Sequence, residues 1–115
     1  MDPNTEGVAL VGAMAWAIPA LRPLLDEHLR DMDQEVLPHL LMGAYVKAVP
    51  ELAEHDAEST VRVFEMLEEA AGQAQGELRN VLAISFLEDL PSNLEHLIGP
   101  KLRSLGETEG VLSEQ

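Results

Sequence analysis

Apolar residues recur along the chain at intervals of three and four, and the two-residue alternation of a half-buried strand is sustained nowhere. The first run, Val8 to Leu21 (VALVGAMAWAIPAL), is apolar on every side and predicts a buried first helix. Pro19 and Pro23 break that run. Leu21, Leu24, Leu25, Leu29 and Met32 then form one stripe, which predicts a second helix from about Pro23 to Met32. Arg22, Asp26 and Arg30 follow at four-residue intervals on its other face, as a solvated row of charge pairs. Asp31 to Glu35 reads as an acidic turn with capping chemistry. A third helix runs from there to about Val49, buried along Leu37, Leu40, Leu41, Ala44 and Ala48, with Pro38 near its start and Pro50 ending or kinking it.

Glu51 to Glu58 is expected to be a short acidic turn and loop. Asp56 can cap a fourth helix to about Ala74, its core side made of Val61, Phe64, Leu67 and Ala71. Gly72 and Gly76 punctuate the next boundary. Glu77 to Leu90 is apolar around most of its circumference and predicts a central fifth helix, which Pro91 stops. Ser92 and Glu95 have the spacing of a capping box for a short sixth helix closed by Gly99 and Pro100, and Lys101 to Leu105 adds a turn. The expected fold is all-α: a compact bundle of five to six short helices in one domain, residues 1–105, followed by a flexible acidic tail, residues 106–115. The stretch from Asp56 to Leu90 has the form of one solenoid hairpin, but no second copy exists, so this is not a repeat protein.

Composition supports a packed core, since 46% of the 115 residues are hydrophobic. Cysteine is absent, which removes thiolate chemistry and disulfides and points to the cytoplasm. The Val8–Leu21 run has the length of a signal-peptide core, yet acidic Asp2 and Glu6 precede it instead of Lys or Arg, and it is too short to span a bilayer.

Charge changes the picture more. Against 21 Asp and Glu stand 7 Lys and Arg, a net of −14. Phosphate backbones and anionic lipid repel such a chain, so nucleic acid and membrane surfaces are poor partners and a basic protein is a good one.

Little in the sequence suggests catalysis. The serines lack a nucleophile-elbow motif, and no glycine-rich phosphate loop exists. Ser85, amid apolar neighbours, is expected to bond back to the preceding helical turn. The carboxylate doublets Glu68–Glu69 and Glu88–Asp89 point in different directions from their helices and read as solvated faces. Histidines and carboxylates do come close in sequence: His28 with Asp31, Glu35 with His39, and Glu51, Glu54, His55 and Asp56. These are the raw material for a metal site. The calcium-loop start Asp31-x-Asp33-x-Glu35 fails, because Val36 stands where glycine is needed and Met42 where the bidentate Glu belongs. His39, just after a proline at a helix start, is expected to bond a backbone group or a nearby carboxylate such as Glu35.

Two stretches carry a resemblance. The first is Asp26-Glu27-His28, Asp31 and Glu35-Val36-Leu37-Pro38-His39-Leu40; the second is Val81-Leu82-Ala83-Ile84-Ser85-Phe86-Leu87-Glu88. Together they resemble a family of small, acidic, all-helical bacterial proteins of unknown function with a Leu-Pro-His turn and a Ser-Phe-Leu-Glu run. The likeness covers about Pro19 to Leu90 and departs in the acidic segment after Val49. It implies the fold and a bacterial origin. By analogy, proteins of this look are similar to immunity proteins, which block a toxin.

The expected function is therefore a non-catalytic interaction protein that binds and restrains a basic partner such as a toxin domain. Its contact carboxylates are expected to be Asp31, Asp33 and Glu35 in one turn and Glu51, Glu54, Asp56 and Glu58 in another, with no catalytic, cofactor or metal residues. Crowding of like charge from Glu51 to Glu58 would let salt or mild acid stabilise the free protein. The alternatives are a metal-dependent enzyme or sensor using His28, Asp31, Glu35 and His39, and a homo-oligomeric scaffold in which the apolar first helix packs between copies.

Overall fold

The computed structural model describes residues 5–112. Six α-helices stand among them: α1 Thr5–Ala17, α2 Arg22–Asp31, α3 Pro38–His55, α4 Ala57–Ala71, α5 Glu77–Asn80 and α6 Pro100–Thr108. A 3-10 turn, Pro19–Leu21, joins α1 to α2. A π-helical segment, Val81–Phe86, continues α5 into a 3-10 turn, Leu87–Asp89, and a second 3-10 stretch, Ser92–Leu97, leads to α6. No strand occurs among the described residues. The fold is all-α, and no single helix is long and apolar enough to cross a membrane.

The molecule measures 42 × 37 × 19 Å, so along its short axis it is about two helix diameters thick. Its core is built from Val11, Met14 and Ile18 of the first run, Leu41, Met42, Tyr45, Val46 and Val49 of α3, and Leu67, Leu82, Phe86 and Leu102. Phe86 is fully buried and meets Phe64 edge to face, ring centroids 5.8 Å apart. The Tyr45 hydroxyl donates to the Val11 carbonyl at 2.8 Å, which fixes α3 against α1. Burial holds that phenol far above its ordinary pKa, so it remains a donor.

Several details differ from the sequence reading. The α3 helix passes through Pro50 and ends at His55, so Glu51 to His55 are helical rather than a loop. Pro50 lies on the solvent face, so the Val46 carbonyl it cannot bond is on the side open to solvent, while Val46 and Val49 pack inward. Leu40 and Val61, expected inside, are 55% and 54% exposed; the inward positions of α4 are Thr60, Val63, Phe64, Leu67 and Ala71. Arg22 does not join a charge row on α2. Its guanidinium donates to the carbonyls of Ala15 and Trp16 at 3.0 and 2.7 Å, satisfying the open C-terminal end of α1, and its Cζ lies 5.8 Å from the centroid of the Trp16 ring. Ser92 is the first residue of its 3-10 stretch rather than its cap, and no side chain caps that end.

Order also continues past Leu105. The α6 helix reaches Thr108, and the chain folds back so that buried Leu112 covers Gly106. A methyl group on Gly106 would stand 2.5 Å from the Leu112 side chain and 2.9 Å from that of Leu87. The expected flexible tail therefore does not begin at residue 106, because this return buries apolar surface; residues 113–115 lie outside the described residues.

Candidate functional site

The two sequence stretches singled out above meet in space. His39, in the first turn of α3, and Ser85, in the π segment, are joined by a 2.6 Å hydrogen bond between Nδ1 and Oγ. The other ring nitrogen, Nε2, lies 2.7 Å from the Glu77 carboxylate of α5. In the tautomer that donates from Nε2 to Glu77, Nδ1 is bare and accepts the Ser85 hydroxyl. Ser85 is thus not bonded to its own helix, and the carboxylate on His39 is Glu77, 38 positions away, rather than Glu35. The i→i+5 bonding of the π segment moves side chains out of α-helical register. Ile84 is consequently 48% exposed, and Ser85 is half-buried within reach of α3. A hydroxyl, a base and a carboxylate that orients the base are the parts of an acyl-transfer site. Such a site also needs donors aimed at a developing oxyanion, and amides inside a helix are engaged along its axis.

The residues considered for a metal do not converge. His28 is buried, and its Nε2 accepts the Leu37 amide at 2.9 Å, while His39 is held as described. No three His, Asp or Glu side chains among the described residues are placed to hold one ion.

The carboxylates expected to form a contact surface divide into two groups. Asp31 closes α2 and Asp33 and Glu35 follow in the link to α3, all three exposed, with Asp33 and Gln34 at left-handed φ values of 51° and 69°. Glu51, Glu54, Asp56 and Glu58 gather at its far end. The 18 residues of α3 separate the groups by about 27 Å at 1.5 Å per residue. They are not one patch. Asp56 is engaged by the fold, because its carboxylate accepts the Ser59 hydroxyl at 2.7 Å and the Ser59 amide at 3.1 Å, capping α4. Those bonds hold its pKa below the ordinary carboxylate value, the opposite of what crowding by like charge would do. With the folded pKa lowered, this cap contributes stability above the unfolded pKa of about 3.9 and loses it as pH falls through the lower folded value.

A second structural carboxylate went unrecognised in the sequence. Glu68 accepts the amides of Lys101 and Leu102, both at 2.9 Å, and so caps α6 from across the fold. Of the Glu68–Glu69 doublet, only Glu69 is a solvated side chain.

The α1 and α4 helices run antiparallel with a groove between them. At one end Glu6, Ala9 and Leu10 face Met66, Glu69, Ala70 and Gln73 across a cleft of about 600 Å³. At the other, Ala17, Ile18 and Pro19 face Ala57, Glu58, Val61 and Glu65 across about 590 Å³. Arg62 lines both clefts and stands between them. A family model described as a domain of unknown function, DUF7674, matches residues 13–109. The chain belongs to this family. No curated protein and no solved structure matches it. The DUF7674 span contains both the Ser85–His39–Glu77 contact and all of α4, and it begins part-way along α1.

Proposed function

We propose that this DUF7674 protein is a non-catalytic binding protein of the bacterial cytoplasm that restrains a basic protein partner, in the manner of an immunity protein. One observation carries the reading: the fold leaves most of its acid unengaged. Among the described residues Glu109 pairs with Arg79, Glu77 is hydrogen-bonded to His39, and only Asp56 and Glu68 cap helices. Glu27, Asp31, Asp33, Glu35, Glu51, Glu54, Glu58, Glu65 and Glu69 are all exposed. Concentrated uncompensated charge destabilises a compact state through self-repulsion and accelerates capture of an opposite charge. The test is stopped-flow association with the product of the neighbouring gene, which this reading requires to be a basic protein. The association rate should fall at least about tenfold from low to high salt. A partner that associates equally fast at both would contradict the proposal.

A second reading is favoured by the Ser85–His39–Glu77 contact, namely acyl transfer at Ser85. A fluorophosphonate probe decides it: labelling of Ser85 that disappears in His39→Ala would support a nucleophilic serine, and no labelling leaves the contact as a clamp between α3 and the π segment.

A further inference from the structure

We infer that the α1–α4 groove is the seat for a cationic amphipathic helix of the partner. The inference rests on the interaction reading above and adds the place and the chemical form of the ligand. Along the floor, Leu10, Met66 and Ala70 are half-buried and packed on the core, so they offer apolar surface without being free to collapse. Val61, 54% exposed, adds an apolar wall at the other cleft.

Carboxylates stand at both ends, Glu6 and Glu69 at one and Glu58 and Glu65 at the other, with Arg62 between them. The α1 wall is 13 residues long, about 20 Å at helical rise, so it accommodates a helix of similar length. Two antiparallel helices with an open groove between them present the ridges against which a third helix packs.

Charge selects among occupants. A second copy of this chain would bring its own −14 to four carboxylates, and an acidic or neutral helix would leave those carboxylates uncompensated. A helix with Lys or Arg flanking an apolar stripe satisfies both the floor and the ends. Arg62 adds a specificity element, since a cation opposite the centre of the groove is repelled and an acidic residue there is favoured.

The test uses a fluorescently labelled peptide of about 14 residues, long enough for nearly four helical turns, made only of Leu and Lys with Leu at helical spacing. A shuffled peptide of the same composition lacks the apolar face. Anisotropy titrations against the whole protein should show the amphipathic peptide binding at least about tenfold tighter than the shuffled one. E58Q/E65Q/E69Q should weaken it about tenfold, and Met66→Lys should also weaken it. Arg62→Glu should tighten it, a gain that no loss of folding could produce. Equal affinity for both peptides, or Arg62→Glu and E58Q/E65Q/E69Q binding like wild type, would overturn the groove. If D31N/D33N/E35Q alone weakened binding, the groove would be wrong while the basic-partner reading survived. If salt-sensitive capture of the basic partner were also missing, both would fall. Concentration-dependent dimerisation abolished by Met66→Lys would overturn the groove in favour of a second copy.

Discussion

Truncating Phe86 to alanine is expected to cost about 3–5 kcal/mol, a large fraction of the total stability of a domain this size. Phe86 is fully buried and sits at the end of the π segment, where its ring meets Phe64 of α4 edge to face at an interplanar angle of 78°. Removal loses the transfer energy of the ring, leaves a cavity that rigid neighbours fill only in part, and removes the edge-to-face contact. Urea denaturation followed by circular dichroism measures it. A midpoint close to wild type would mean that Phe86 does not form part of the core.

The second large effect separates two adjacent glutamates that the sequence presents as equivalent. Glu68→Ala should cost about 1.5–3 kcal/mol, because its carboxylate makes charge-assisted bonds to two amides that α6 cannot satisfy internally. Glu69→Ala should change stability by no more than about 0.5 kcal/mol, as for other exposed side chains. The same denaturation assay compares them. Equal effects would mean that Glu68 does not hold the N-terminus of α6.

These two cases show what was legible in the sequence. The all-α class, the boundaries at Gly72 and Pro91, the Asp56 cap and the burial of Phe86 follow from periodicity and local capping, which act within a few residues. Helix α3 running through Pro50 was not legible, because inward packing of Val46 and Val49 outweighs a local proline penalty whose gap faces solvent. The partners of Glu68, His39 and Ser85 lie 33 to 46 positions away, and no local pattern encodes them. Of the seven carboxylates proposed for binding, Asp56 caps α4, and the two groups stand at opposite ends of α3. Only Glu58 lines the α1–α4 groove. The signals that did exist were the apolar positions Ala9, Leu10 and Ala17 of α1 and the helical spacing of Arg62, Met66 and Gln73. A helix apolar all round reads as central by periodicity alone, which is why its exposed face went unrecognised.

The central claim is that the exposed carboxylates serve a partner rather than the fold. Its most direct test is the affinity of E51Q/E54Q/E58Q/E65Q/E69Q for the basic partner, with the melting temperature of the free protein measured on the same sample. Relief of like-charge repulsion should leave that melting temperature unchanged or raised, while affinity falls by at least about tenfold. A variant that captures the partner at full strength would contradict the account.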